Sequence, residues 1–230
     1  DDRIGREIDR LFDADAMALF TDAIVMAVRK FSIRLEQLHS DSTTVTFHGE
    51  YKKGHKPSRK RPPKITYGFN KDHRPDLKQL VAELATTADG SVPIYFKVHD
   101  GNMTDDQMHC DTWLALKDLV GSANFLYVAD CKLAVSETLQ FIEQKQGKFL
   151  SVLPRARKET DSFFDYVQGH VIDWQVVRRE QNPNYGKPPV LKERPDPGSE
   201  DRAADQPAQF VFEAFESPER SKEGFRIFWY

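Results

Sequence analysis

The sequence predicts a mixed α/β fold in which one sheet carries both antiparallel and parallel strands and helices pack on it. Three observations carry this. Apolar residues recur at helical spacing over residues 16–31 (AMALFTDAIVMAVRKF). An alternating, β-branched run follows in "LHSDSTTVTFHG", and Asp89-Gly90 between two apolar runs signals a hairpin. Beyond Asn102, helical and strand patterns alternate, which in one sheet implies parallel strands joined by crossover helices.

In chain order, residues 4–12 and 16–31 read as an entry helix pair, with Asp15 placed to cap the second. A strand carrying Asp41 near its start comes next. Residues 52–64, KKGHKPSRKRPPK, combine seven cations with three prolines and no apolar period, so they read as an exposed basic loop. Two antiparallel strands are expected near 77–87 and 92–98, and Asp100-Gly101-Asn102 then supplies a turn. Thr104 and Gln107 resemble a capping box opening a helix that Gly121 ends. A strand at 125–130, a helix capped by Ser136 and running to about Lys145 with Gly147 as its stop, and the strand "KFLSVLP" complete the alternation. Farther on, residues 161–180 hold a short helix and a strand around "VIDWQVVRRE". Residues 181–208 read as a Pro-rich loop, and the last twenty or so residues as a β-hairpin with a polar turn. The aromatics Trp113, Phe125, Tyr127 and Phe149 read as core.

Composition narrows the function classes. No apolar run approaches the roughly 18 residues of a membrane span, so no membrane partner is expected. Cys110 and Cys131 lack the paired spacing of a zinc site or disulfide framework, and a cytoplasmic protein is expected. The net charge of −3 gives no global nucleic-acid signal, but it conceals the basic stretch at 52–64. The chain starts at Asp1 without an initiator Met and stops on the strand-like "FRIFWY", which reads as a piece of a longer protein.

Asp41 and Asp130 each mark a strand of the same sheet, Asp130 closing the apolar run "FLYVA". A carboxylate there must sit in water, find a partner or hold a metal, because burying it alone is costly. If the two share one patch, a cation relieves their repulsion, and hard Mg²⁺ or Mn²⁺ suits one or two carboxylates with water and phosphate in the remaining positions. Pattern alone leaves the plainer reading open: solvated or capping aspartates.

The motifs "LHSDSTTVTFHGEY", "PPKITYGFNKDHRPDLKQL", "PIYFKVHDGNMTDD" and "FLYVADCKL", in this order and at these separations, resemble the DDE transposases of bacterial insertion sequences. More narrowly, the chain looks like the group whose ribonuclease H-like catalytic domain is interrupted by a β-rich insertion. The resemblance is strongest over residues 35–155. It implies a helical segment at 1–34, the first part of a ribonuclease H-like core at 35–155 and an incomplete β-rich insertion at 156–230. It also implies that Asp41 and Asp130 bind Mg²⁺ or Mn²⁺ for DNA-strand cleavage and strand transfer. The implied partners are double-stranded DNA, as transposon ends and target, and a second copy of the chain in a homodimeric synaptic complex.

The family's third acid, a Glu on a helix after the insertion, has no match here. Glu159 and Glu180 come too early, Glu213, Glu216, Glu219 and Glu223 fall in the expected hairpin, and nothing after Leu153 shows the helical context. The third acid is therefore expected beyond residue 230. A non-catalytic DNA-binding remnant of a truncated transposase is the alternative, and a metal nuclease without strand transfer would share the same two aspartates. Lys52, Lys53, Lys56, Arg59, Lys60, Arg61 and Lys64 are candidate phosphate contacts, as is Lys132, two residues after Asp130. The stretch from Asn70 to Asp76 is as well explained by turn chemistry as by DNA contact, and His39 reads as structural.

Overall fold

The 11-residue strand β1 (Gln37–Phe47) is the centre of a five-stranded sheet. The computed structural model describes residues 2–14, 16–51, 61–70, 73–183 and 208–230, without the side chains of 16, 17 and 105–107. Chain contacts divide it into two units, Asp1–Pro154 and Arg155–Tyr230.

In the first unit, helices α1 (Asp2–Asp13) and α2 (Ala16–Phe31) precede β1, and α2 packs against β3. Strands β2 (Lys78–Thr87) and β3 (Pro93–His99) form the expected hairpin, with β2 antiparallel to β1. Helix α3 (Asp105–Val120) then crosses to β4 (Leu126–Ala129), and α4 (Ser136–Gln144) leads to β5 (Lys148–Ser151). Both β4 and β5 run parallel to β1, giving the order β3-β2-β1-β4-β5. Three antiparallel strands followed by two parallel ones, in this order, make a ribonuclease H-like mixed sheet with flanking helices.

Local chemistry explains most boundaries. Gly121 adopts φ 74° and its N–H closes α3 on the Lys117 carbonyl, a left-handed cap that favours glycine. Gly147 is needed for space instead: a Cβ there would lie 2.5 Å from the Trp113 ring. Of the expected side-chain caps, Asp15 lies outside the described residues and the other two are not made as expected. Thr104 occupies the N-cap of α3 but makes no side-chain capping bond, and Val135, not Ser136, is the N-cap of α4. Strand β4 also stops one residue early, because Asp130 has turned to open a short 3₁₀ turn at Cys131–Leu133.

Alternation gives the sheet two faces. Leu38, Val81, Ala85 and Tyr127 point to the side that α3 and α4 cover, where Trp113 stacks on Phe125 and meets the edge of Phe141. Leu84, Phe96 and Leu150 point to the other side and remain exposed.

The second unit holds α5 (Lys158–Gly169) and the strands β6 (Gln175–Gln181), β7 (Gln209–Glu216) and β8 (Phe228–Trp229), in the order β6-β7-β8 and antiparallel throughout. The helix rests on the sheet through aromatic contact: Phe163 stacks on Trp229 at 3.8 Å between ring centres.

Candidate metal centre

The parallel pairing of β1 with β4 sets Gln37 beside Leu126, Leu38 beside Tyr127 and His39 beside Val128. The pairing ends there, with Asp41 two residues farther along β1 and Asp130 directly after the end of β4. Both residues are exposed, and both lie on the uncovered side, since Leu38 and Tyr127 alternate to the covered one. They border two hollows in common. The wider opens on the uncovered face, with His39, Leu84, Phe96 and Val128 in its wall. The smaller reaches toward the covered side and also touches Ser40, Ser42, Glu83 and His109.

Each carboxylate is oriented by the backbone. Asp41 Oδ1 accepts the Ser42 N–H at 2.8 Å, and Asp130 Oδ1 accepts the Lys132 N–H at 2.9 Å as N-cap of the 3₁₀ turn. The Ser151 hydroxyl from β5 donates to the Asp130 carbonyl at 2.7 Å, so β5 also fixes where that residue leaves the sheet. Capping accounts for one oxygen of Asp130 and for its place at a strand end. It leaves the juxtaposition with Asp41 unexplained.

The donor set fits a hard, partly hydrated cation: carboxylate and hydroxyl oxygens beside the central strands, open to solvent. A closed cage is not formed, because among the described residues no group of three or more His, Cys, Asp or Glu could hold a metal.

Of the candidate phosphate contacts, Lys52, Lys53, Lys56, Arg59 and Lys60 lie outside the described residues. Arg61 pairs with Asp100 at 2.7 Å, and the Lys64 N–H donates to the same carboxylate at 2.7 Å, which anchors the end of the loop to the turn after β3. Lys132 is exposed on the 3₁₀ turn that Asp130 caps. Asn70 is buried and holds its own loop: its amide donates to the Arg74 carbonyl at 2.6 Å and accepts the Arg74 N–H at 2.7 Å. That is the turn chemistry the sequence offered for this stretch.

The acids after Leu153 need one correction. Glu159 does sit in a helix, in the first turn of α5. It is held there by Arg157, whose guanidinium also meets Glu223 at 2.7 Å and draws the Glu159 carboxyl down to about 2. Glu213 and Glu216 lie on β7 as expected.

The sequence reading missed Glu83. It is 1% exposed in the middle of β2, on the covered face. Its signal was available: in "VAELATT" a Glu occupies the same parity as the inward Val81, Ala85 and Thr87.

Neither a protein-family model nor a curated protein matches the chain. Among solved structures, the chain is similar to the Mos1 transposase paired-end complex with a left transposon end, at 12% identity and a TM-score of 0.35, over 66% of this chain and 46% of that one. A Mos1 mariner paired-end complex with Mn gives 12% identity and 0.34 over the same shares. The catalytic domain of Mos1 mariner transposase gives 9% and 0.33, over 69% of this chain and 73% of that one. The match thus spans under half the length of the transposase in those complexes. Likeness at this level assigns no function. Among the described residues, no helix is long and apolar enough to cross a membrane.

Proposed function

We propose that the chain is the first part of the catalytic domain of a DDE transposase of a bacterial insertion sequence, with Asp41 and Asp130 as two of its metal-binding acids. The observation that carries this reading is that Asp41 on β1 and Asp130 at the end of β4 line the same two hollows beside these central strands. The four sequence motifs support it independently, because the two acids they single out are the ones that share those hollows.

In this reading the two carboxylates hold Mg²⁺ or Mn²⁺, which when bound supplies activation of an attacking oxygen and charge stabilisation at a phosphodiester. The chain's own contribution is position. Backbone N–H groups of Ser42 and Lys132 fix the carboxylates, while β5 braces the Asp130 backbone through Ser151. The open face leaves room for a DNA strand, and Lys132 together with the 52–64 cations is placed in the chain to offset phosphate charge. The substrates are the element's own double-stranded ends and the target, handled by a homodimer. No residue of this chain is assigned the third acid. The segments 1–34, 35–155 and 156–230 serve as helical lead, first part of the core and β-rich insertion.

The test is Mn²⁺ titration of the 230-residue chain, followed by the loss of the free-ion electron paramagnetic resonance signal. Binding that disappears in Asp41→Asn and in Asp130→Asn is the expected result. Binding that survives both substitutions overturns the assignment. In the protein extended to include a third acid, the same substitutions should abolish end cleavage and strand transfer.

A further inference from the structure

Glu83 is a polar carboxyl group in a buried position, and its surroundings are built for it. The Thr112 hydroxyl donates to Oε1 at 2.5 Å, the Ser40 hydroxyl to the same oxygen at 3.4 Å, and His99 Nε2 meets Oε2 at 3.0 Å. All four residues are buried. The donors come from α3, β1 and β3, so one carboxylate on β2 ties three other elements together. Buried ionic groups seldom add net stability over a well-packed apolar cluster, but they fix geometry when every oxygen is satisfied.

The network continues to the second aspartate's strand. The Tyr127 hydroxyl on β4 meets His109 Nδ1 at 2.9 Å and lies near the Ser40 side chain. His109 and Thr112 stand three residues apart on one face of α3, so the same helix face that meets Tyr127 also carries the Thr112 donor to Glu83. Ser40 immediately precedes Asp41, and Tyr127 stands three residues before Asp130. Glu83, Ser40 and His109 border the same small hollow as both aspartates.

We propose that Glu83, with Ser40, Thr112 and His99, is a positioning network that sets the spacing of Asp41 and Asp130, and is not itself a metal ligand. The proposal rests on the metal-centre reading above. Glu83's oxygens are already engaged by three donors, which is why it does not complete a ligand set.

The experiment uses the full chain with four variants: Glu83→Gln, Ser40→Ala, Thr112→Val, which keeps shape but loses the hydroxyl, and Thr112→Ser, which restores it. Circular dichroism selects the folded variants. Two properties are then read: Mn²⁺ affinity, and amide hydrogen exchange at Ser42 and Lys132, whose N–H groups hold the two carboxylates. The expected result is about 10–100-fold weaker Mn²⁺ binding in Glu83→Gln and Thr112→Val, with recovery in Thr112→Ser. Faster exchange at Ser42 and Lys132 should accompany it, with Gly147 unchanged as a reference in the same unit. Folded Thr112→Val or Ser40→Ala variants with wild-type affinity and wild-type exchange at both amides overturn the proposal. If the wild-type chain binds no Mn²⁺ that Asp41→Asn removes, the metal reading fails by itself. The exchange data then still decide whether Glu83 positions the carboxylates.

Discussion

The two faces of the five-stranded sheet are made by the same strands under the same alternation, yet they are opposite in character. On the side of α3 and α4, even polar residues are sealed: Glu83 is 1% exposed, and its partners are buried with it. On the other side apolar residues meet water, with Leu84 at 40% and Phe96 at 41% exposed, and Val45 and Leu150 more so. Only toward the start of β3, near α2, is this side closed, at Ile94. The difference teaches where stability and chemistry reside. The covered face holds the fold and fixes the strand ends, and the two aspartates emerge on the face that has little to lose by binding something.

The largest expected effect breaks the covered face at its centre. Trp113 is fully buried between Phe125, Phe141 and Gly147. Trp113→Ala should cost about 3–5 kcal/mol in urea denaturation, from lost burial and the cavity left behind. Gly147→Ala should follow at about 1–3 kcal/mol, since the added methyl would sit 2.5 Å from that ring and 2.6 Å from Ile142. A neutral Gly147→Ala would show that the α4–β5 corner is looser than its geometry implies.

The covered face should also reveal itself in alkali. Burial, with the Glu83 carboxylate acting in the same direction, raises the Tyr95 hydroxyl from 10.0 to about 12, and burial raises Tyr127 as well. A group whose folded pKa is raised contributes stability that is complete below its unfolded value and lost as pH climbs through the folded one. The urea midpoint should therefore fall between pH 10 and 12, and Tyr95→Phe should flatten part of that fall. An unchanged slope in Tyr95→Phe would place the alkaline sensitivity elsewhere.

Periodicity made the sheet legible, because a strand with one covered face writes its alternation into the sequence and Asp89-Gly90 wrote the hairpin. Asp41 and Asp130, the proposed metal-binding acids, were singled out for another reason. They stand where apolar patterning begins or stops, and motif order linked them. Capping was less legible. Thr104 and Ser136 have the right chemistry, but Thr104 makes no side-chain capping bond and the N-cap of α4 falls one residue earlier, at Val135. Glu83 was missed because its meaning lies in donors far away in sequence, at Ser40, His99 and Thr112. Glu159 was set aside as too early in the chain, and the helical context not read after Leu153 is there, since α5 begins one residue before it.

The smallest expected effect is the sharpest probe of the contrast. Leu84 pairs with Asp41 across β1–β2 and with Phe96 across β2–β3, so a polar patch introduced there lies directly beside the proposed site. If this face is solvated in the chain as it stands, Leu84→Ser and Phe96→Ser should change stability by no more than about 0.5 kcal/mol each, far below Trp113→Ala. The same substitutions on a covered face would lose most of a buried side chain's transfer energy, about 1.5–3 kcal/mol. A cost in that higher range would mean that something already packs on the uncovered side in solution. The aspartates would then open onto an interface instead of onto water, and Mn²⁺ affinity measured in the same two variants would show whether that interface limits access to the site.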